Sequence, residues 1–414
     1  MLIKTIEKKE KAGVVLIPPS KSDSQRAILA AGLAKGKSTL FNIGKSADEL
    51  AMLATIEQLG AQVNFTQENV AEITGIDNFP NEATINIGES GLGIRLITSV
   101  LASQKGKFTI LGKGSLCSRP MNFFPETLPQ LGVMVSTQAN FLPIEVEGPM
   151  HGDQTIEVDG SLSSQYLSGL LMALPLIDGE TTIKVNDLKS IPYVSMTLDT
   201  LKQFGIEIEN IDFKTFKIKG NQSYQPINYT IESDWSSASY WLVAAALGMK
   251  IETTGLKMSS LQADKALLDG LMSAKCRIIR SENGLKIDGT YRQAFEFDAT
   301  HCPDLFPALV TLAAYCVGES IFYGVSRLKN KESDRGIVLQ KEFGKLGLQI
   351  DLEGDKMTVH GKGKLNGGLC DSNNDHRIAM CLGIAGYFSE TPITINDAGA
   401  VKKSYPGFWE EMEC

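Results

Sequence analysis

Almost entirely apolar stretches recur six times along the chain, each directly after a cluster of polar residues. The stretches read AILAAGLA, IRLITSVLA, YLSGLLMALPL, SYWLVAAAL, LFPALVTLAAYCV and IAMCLGIAGYF. We interpret each stretch as a helix, and a helix that is apolar on all sides is a buried helix. Each then leads through a turn into a β-rich run, such as STLFNI, KFTIL or ETTIKV. The pattern therefore predicts six α/β units, each with a buried helix covered by a sheet.

Glycines mark the same points in successive units. Those that follow the buried helices recur at a spacing of roughly 70 residues, longer than common solenoid periods, and they are Gly36, Gly106, Gly179, Gly248 and Gly318. A second helix in most units ends in glycine, which fits a left-handed helix C-cap, at Gly60, Gly132, Gly205 and Gly347. The fourth unit has Lys275 there, so its cap is predicted to be degenerate.

The length of the chain predicts two domains, because 414 residues exceed the usual size of a single core. Six units divide naturally into three and three. The first unit must pair with its neighbours, so we predict that a short N-terminal strand belongs to the C-terminal half. Residues 1–18 with 232–414 are then one domain and residues 19–231 the other, with an active site in the cleft between them.

Composition and charge exclude several classes of partner. A net charge of -8 argues against nucleic acid as a partner. The N-terminal residues lack the apolar run of a signal peptide, and no apolar stretch has the length of a membrane span, so we expect a cytoplasmic protein. Seven cysteines without C-x-x-C spacing suit reduced thiols, and four scattered histidines offer no zinc ligand cluster. We expect neither metal nor cofactor.

Cations accompany the polar clusters that precede the buried helices. Serine and aspartate are ordinary N-caps, and alone they indicate nothing more. Lys21, Arg26, Arg95 and Arg377, however, lie at or within first turns, where the helix dipole disfavours cations unless an anion offsets them. Helix N-termini with lysine or arginine bind phosphate and carboxylate. The pattern predicts a substrate pair that carries several negative charges.

Eight short motifs follow one another along the chain. They are Pro19-Ser20-Lys21-Ser22-x-Ser24-x-Arg26, Ser161-x-Ser163-Ser164-Gln165-Tyr166-Leu167, Ser190-x-Pro192-Tyr193, Asp234-x-Ser236-Ser237-Ala238-x-Tyr240, Pro303-Asp304, Lys331-Glu332-Ser333-Asp334-Arg335, Asn374-Asp375-His376-Arg377-x-Ala379-Met380 and Lys403-Ser404-Tyr405-Pro406. In these motifs and their order the chain resembles the 5-enolpyruvylshikimate-3-phosphate (EPSP) synthase family over essentially its whole length. The resemblance implies two domains of three α/β repeats each, arranged as the inside-out α/β barrel of enolpyruvyl transferases, and we expect a monomer.

The resemblance also implies a function. Members of the family are transferases of the shikimate pathway, which leads through chorismate to aromatic amino acids, and they are the target of glyphosate. They move the enolpyruvyl group of phosphoenolpyruvate to the 5-hydroxyl of shikimate-3-phosphate by addition and elimination, with release of phosphate. No metal or cofactor takes part.

Matching positions imply a role for each motif residue. Those expected to hold shikimate-3-phosphate are Ser22, Arg26, Ser163, Ser164, Gln165, Ser190 and Lys331, with Tyr193 alongside, and Lys21 is expected near both substrates. Those expected to hold phosphoenolpyruvate are Gly91, Arg119, Arg335, Arg377 and Lys403, with Lys21 touching the enolpyruvyl group. Asp304 is the expected base for the attacking hydroxyl. Glu332 and Lys21 are the candidates for moving the proton at C3, with His376 in support.

The chain departs from the family pattern at three places. Residues 89–96 read Glu-Ser-Gly-Leu-Gly-Ile-Arg-Leu where the family has Asn-Ala-Gly-Thr-Ala-Met-Arg-Pro, Ser118 replaces a glutamate, and Arg327 replaces an asparagine. Phosphoenolpyruvate affinity and glyphosate response are therefore left open.

Two alternatives remain at this point. One is a UDP-N-acetylglucosamine enolpyruvyl transferase, which typically has a cysteine where this chain has Gly114; Cys117 lies only two residues before Arg119. The other is a non-catalytic repeat protein that binds anions.

Overall fold

The computed structural model describes residues 2–8, 11–161, 163–282 and 284–413. The strands in these ranges are β1 (Lys4–Ile6), β2 (Ala12–Leu16), β3 (Lys37–Phe41), β4 (Gln62–Gln67), β5 (Val70–Thr74), β6 (Glu82–Asn86), β7 (Gly106–Leu111), β8 (Met134–Gln138), β9 (Phe141–Gly148), β10 (Thr155–Asp159), β11 (Glu180–Asn186), β12 (Ile208–Ile211), β13 (Thr215–Lys219), β14 (Asn228–Thr230), β15 (Lys250–Thr254), β16 (Arg277–Arg280), β17 (Gly284–Asp288), β18 (Glu296–Asp298), β19 (Val317–Tyr323), β20 (Gln349–Glu353), β21 (Lys356–Lys362), β22 (Gly368–Asp371) and β23 (Ile393–Asn396).

The α-helices in the same ranges alternate with these strands. They are α1 (Lys21–Leu33), α2 (Ala47–Gln58), α3 (Gly91–Ala102), α4 (Phe123–Thr127), α5 (Ser164–Ala173), α6 (Ile191–Gln203), α7 (Trp235–Leu247), α8 (Leu267–Ser273), α9 (Phe306–Ala314), α10 (Arg335–Lys345), α11 (His376–Phe388) and α12 (Phe408–Glu413). None of the described helices is long and apolar enough to cross a membrane.

The chain divides into two compact units. Unit 1 comprises Met1–Ser20 and Glu232–Cys414, and unit 2 comprises Lys21–Ile231. Unit 2 contains three four-stranded sheets with the strand orders β14-β3-β5-β4, β6-β7-β9-β8 and β10-β11-β13-β12. In each sheet the first two strands are parallel and the later neighbours are antiparallel. The three sheets thus repeat one plan.

Unit 1 repeats the plan with strands from the N-terminal segment. Its sheets have the orders β16-β17-β15-β2, β18-β19-β21-β20 and β1-β23-β22. Strand β2 pairs in parallel with β15, and β1 pairs antiparallel with β23. Within unit 2 the last strand, β14, likewise completes the sheet of the first α/β repeat by pairing with β3. Each of these six sheets is open at both ends of its strand order, and the sheets cover buried helices as predicted.

The six apolar stretches form the helices α1, α3, α5, α7, α9 and α11, and all six are buried as predicted. Every residue of α3 and α9 is buried. The sheets reach these helices closely because glycines end their inner strands: a Cβ at Gly75, Gly148 or Gly289 would overlap a backbone carbonyl at the helix C-terminus. The degenerate cap after α8 keeps the expected backbone without glycine, since Lys275 has a φ of 62°.

Candidate active site

The first turns of three buried helices in unit 2 are tied together by side chains. The Ser90 hydroxyl, at the N-cap of α3, donates to Gln25 Oε1 of α1 at 2.6 Å. Arg95 Nη1 of α3 donates to Gln165 Oε1 of α5 at 2.8 Å and lies over the ring of Tyr166. The polar starts of α1, α3 and α5 therefore meet within unit 2.

Arg26 joins α1 to a fourth helix start. Its Nε donates to Thr197 Oγ1 at 2.8 Å, and its Nη2 donates to the Tyr193 carbonyl at 3.2 Å, both in α6. Its Nη1 donates to the Ser22 carbonyl at 2.8 Å. Burial lowers the pKa of Arg26 to about 10, which leaves the guanidinium charged at neutral pH. Arg26 thus braces Ser22 and Tyr193, which themselves belong to the predicted site.

The remaining predicted residues of unit 2 lie at the same helix starts. Lys21 is the first residue of α1, and its Nζ forms an ion pair with Asp48 Oδ2 at 3.0 Å. Ser163 caps α5 by accepting a hydrogen bond from the Gln165 N–H, and Ser164 is the first residue of that helix. Ser190 stands at the N-cap of α6 with a φ of 56°. These hydroxyls and N–H groups can act as donors to an anion.

Arg119 lies against the start of α3. An ideal Cβ on Gly91 would be 2.9 Å from Arg119 Cζ and closer still to Nη1. With any larger residue at this position the buried guanidinium would have to shift. The structure thus brings together Gly91 and Arg119, the two residues of unit 2 that the resemblance assigned to phosphoenolpyruvate.

In unit 1 three cations surround one carboxylate. Asp304 lies in the 3-10 turn Pro303–Leu305, directly before α9. Its Oδ1 accepts from Arg335 Nη1 at 2.6 Å and pairs with Lys331 Nζ at 3.1 Å, and its Oδ2 accepts from Arg377 Nη2 at 3.0 Å. The starts of α9, α10 and α11 therefore meet at Asp304, the predicted base.

Arg335 fixes two further carboxylates. Its Nε donates to Asp375 Oδ2 at 2.8 Å, and its Nη2 donates to Glu332 Oε2. Asp375 is fully buried and caps α11 through the Arg377 N–H. Lys403 reaches the same loop, where its Nζ donates to the Asn374 carbonyl at 2.7 Å. Asp304, Glu332, Lys331, Arg335 and Arg377 thus belong to one network, and Lys403 is bonded to the loop beside it.

The charges in this network set the protonation of its members. Desolvation raises the pKa of Asp304, but Arg377, Lys331 and Arg335 outweigh it and hold the pKa well below that of an ordinary aspartate. Desolvation lowers the pKa of Lys331, and Asp304 opposes that shift. Asp304 is therefore ionised, which a base requires, but its low pKa makes it a weak base while all three cations contact it.

Glu332, Asp375 and His376 could offer one ligand atom each within 4.8 Å of one another. Arg335 already donates to both carboxylates, so a metal ion would have to displace a buried guanidinium. Carboxylate oxygens that already accept from Arg335 fit the guanidinium better than they fit a metal ion. His376 is buried, with Nδ1 3.8 Å from Asp375 Oδ1.

Two acidic residues at the site were missed by the sequence reasoning. Asp48 pairs with Lys21, and its signal was weak because it lies inside the ordinary capping box of Ser46 and Glu49. Asp264 is buried and accepts a hydrogen bond from the Ser236 hydroxyl. Burial, and then the charge of Asp304, raises the pKa of Asp264 to about 7. Nothing in the local sequence connects Asp264 with Asp304.

A model of the EPSP synthase (3-phosphoshikimate 1-carboxyvinyltransferase) family matches residues 6–412. The chain belongs to the EPSP synthase family. A 3-phosphoshikimate 1-carboxyvinyltransferase of Clostridium novyi (strain NT) is 36% identical over 411 residues, covering 97% of this chain and 94% of the relative. The enzyme of that name from Clostridioides difficile (strain 630) is 35% identical over 420 residues, with the same coverage.

A solved structure agrees with these relatives. The EPSP synthase of Acinetobacter baumannii superimposes with a TM-score of 0.81 at 25% identity, covering 99% of this chain and 97% of that one. The comparisons confirm the family, the α/β fold class and the membership of a transferase family that the motifs predicted.

The structure gives a reason why this chain has glycine at position 114, where UDP-N-acetylglucosamine enolpyruvyl transferases typically have cysteine. A Cβ at Gly114 would lie within 2.6 Å of the Glu89 carboxylate oxygens, and the φ of 56° is one that favours glycine. A cysteine cannot occupy this position unless Glu89 moves. This feature, together with the family match, argues against the UDP-N-acetylglucosamine alternative.

Proposed function

We propose that this chain transfers the enolpyruvyl group of phosphoenolpyruvate to the 5-hydroxyl of shikimate-3-phosphate and releases phosphate. Membership of the EPSP synthase family supports the reaction, because the relatives are named for this transfer. The observation that carries the proposal is the ionised Asp304, held by Lys331, Arg335 and Arg377. A base within a set of cations suits a reaction between two anionic substrates.

In this proposal the polar side chains at the helix starts of unit 2 and the cations of unit 1 bind different substrates. We assign shikimate-3-phosphate to the helix starts of unit 2, and the residues are Ser22, Arg26, Ser163, Ser164, Gln165 and Ser190. We assign phosphoenolpyruvate to the cations Arg335, Arg377 and Lys403. The motif positions, and not the structure, assign Lys331 to shikimate-3-phosphate, Gly91 and Arg119 to phosphoenolpyruvate, and Lys21 to both. The support is the collection of donors at each helix start and the close fit of Arg119 on Gly91.

Proton transfer follows from the charges. The 5-hydroxyl oxygen attacks C2 of phosphoenolpyruvate as Asp304 takes its proton, while C3 gains a proton from Glu332 or Lys21. Loss of a C3 proton then expels phosphate and restores the double bond. When phosphoenolpyruvate draws Arg335 and Arg377 to its own anionic groups, the pKa of Asp304 rises, so the base becomes stronger in the complex.

Phosphate release tests the proposal. The purified chain is mixed with phosphoenolpyruvate and either shikimate-3-phosphate or UDP-N-acetylglucosamine, and each substrate alone serves as the blank. We expect phosphate only with shikimate-3-phosphate present. Phosphate release with the nucleotide sugar, or none with either acceptor, would refute the proposal. A monomeric state, a cytoplasmic location, the absence of a nucleic-acid partner and cofactor-free catalysis stay predictions from the sequence.

A further inference from the structure

We infer that Glu89 is a positioning residue that holds Arg119 in place through the turn Gly114–Ser118. The inference rests on the proposed function, in which Arg119 binds phosphoenolpyruvate. Glu89 stands where the family pattern has asparagine, directly before the Ser90 cap of α3. Glutamate is one methylene longer than asparagine, so its carboxylate can reach a neighbouring segment.

The segment that it reaches is the turn before Arg119. Glu89 Oε2 accepts two hydrogen bonds from Ser115, one from the N–H and one from the hydroxyl, each at 3.1 Å. The 3-10 turn Gly114–Ser118 has no side-chain cap of its own, because Lys113 at its N-cap makes none. Glu89 therefore supplies the cap from another part of the chain. A carboxylate is well suited to this, since it accepts from N–H groups at the positive end of the turn.

The turn transmits this attachment to Arg119. The Ser118 hydroxyl donates to the Ser115 carbonyl at 3.0 Å, and the Arg119 N–H donates to the Leu116 carbonyl at 3.2 Å. Leu116 is fully buried, so the middle of the turn is anchored in the core of unit 2. Ser115 is thus bonded to Glu89 at the start of the turn and to Ser118 near its end.

The guanidinium at the end of the turn returns to the same helix start. Arg119 packs against Gly91, two residues after Glu89. The start of α3 therefore contacts the turn at both ends: Glu89 accepts from Ser115 at its beginning, and Gly91 packs against Arg119 at its end. The Lys113 N–H adds a third attachment by donating to the Gly88 carbonyl at 2.8 Å. Gly114 permits this arrangement, because a side chain there would overlap the Glu89 carboxylate.

A negative charge near an anion site also has an opposing effect. Without the Ser115 contacts, a carboxylate at position 89 would repel phosphoenolpyruvate and its removal would improve binding. Positioning and repulsion thus predict opposite signs for the same substitution, which makes the inference testable.

The test measures steady-state kinetics and amide hydrogen exchange of the full chain. We expect Glu89→Ala to raise the KM for phosphoenolpyruvate about tenfold, as the loss of hydrogen bonds to a charged group implies. The KM for shikimate-3-phosphate and kcat should stay within about twofold, because the other contacts remain. Glu89→Gln should restore most of the affinity, since its amide oxygen can still accept from the Ser115 N–H.

Two further variants isolate the contact. Ser115→Ala should raise the KM for phosphoenolpyruvate less than Glu89→Ala does, because the Ser115 N–H can still donate to Glu89. The double variant should have the same KM as Glu89→Ala, because the two substitutions act on the same Glu89–Ser115 interaction. Glu57→Ala, an exposed carboxylate of α2, is the matched control and should behave as the wild type. A lower or unchanged KM for phosphoenolpyruvate in Glu89→Ala would overturn the inference, as would equal increases for both substrates.

Hydrogen exchange separates this inference from the proposed function. Amides of the Gly114–Ser118 turn should exchange faster in Glu89→Ala than in the wild type, whether or not the chain releases phosphate. A wild type that releases no phosphate would refute the proposed function alone. Unchanged exchange in the turn would refute the positioning role alone.

Discussion

Replacing Asp304 by asparagine removes the proposed base and retains an oxygen that can accept from Arg335 or Lys331. Loss of a general base costs about 10²- to 10⁴-fold in turnover. Binding should respond differently, because the carboxylate offsets the charge of Lys331, Arg335 and Arg377 in the free protein. Without it these cations are freer to hold an anionic substrate. We therefore expect kcat to fall by that factor while the KM for phosphoenolpyruvate stays unchanged or falls.

The assay is phosphate release at varied phosphoenolpyruvate and saturating shikimate-3-phosphate. Asp304→Ala should lose a similar factor of on the order of 10² or more in turnover while it still binds both substrates. Asp269→Ala, an exposed aspartate of α8, is the matched control and should keep wild-type kinetics. Thermal unfolding of each variant checks that the chain remains folded. A kcat within tenfold of the wild type would remove Asp304 from the mechanism.

The pH dependence gives a second readout of the same residue. The cations hold the pKa of Asp304 well below its ordinary value in the free protein, so the base stays ionised to low pH. The value of kcat/KM should therefore not fall until low pH is reached. In the complex the negative charges of the substrate bind some of these cations, so the cations stabilise the Asp304 carboxylate less and its pKa rises. The acidic limb of kcat should therefore lie at higher pH than that of kcat/KM. Coincident limbs, or the reverse order, would contradict this account of Asp304.

Three further predictions concern single residues. Arg377→Ala should weaken phosphoenolpyruvate binding in a titration and leave shikimate-3-phosphate binding nearly unchanged; unchanged phosphoenolpyruvate affinity would count against its role. Gly91→Ala should raise the KM for phosphoenolpyruvate, because the added Cβ overlaps the Arg119 guanidinium; a wild-type KM would show that Arg119 moves away freely. Asp264 has its folded pKa raised to about 7, so the wild type loses stability as pH rises from about 4 to 7. Asp264→Asn should then be more stable at pH 8 by on the order of 4 kcal/mol in urea unfolding, and a less stable variant would contradict the assignment.

The buried helices could be predicted from sequence because their composition leaves no solvent face. In α7 and α11 the residues after the first turn are almost all apolar, so burial is the favourable environment for these helices. The turn glycines were also predictable, since Gly248 and Gly318 adopt positive φ angles that other residues avoid. Lys275 shows the limit of this reasoning: surrounding structure imposes the same backbone on a lysine, and no local pattern reveals it.

The candidate site was predictable at the level of residue types and not at the level of partners. Cations at helix starts indicated anion binding, but the sequence does not reveal that Asp304 receives three of them. Asp264 and Asp48 escaped notice because their importance depends on contacts between segments that are distant in the chain. Glu89 was visible only as a departure from the family pattern, and its bond to Ser115 depends on the pairing of β6 with β7.

A crystal structure of the chain with shikimate-3-phosphate tests the central claim most directly. The account predicts that the anionic groups of the ligand lie within hydrogen-bond distance of the first turns of α1, α5 and α6, next to Ser22, Ser163 and Ser190. Ligand bound at the C-terminal ends of these helices, or away from unit 2 altogether, would contradict it.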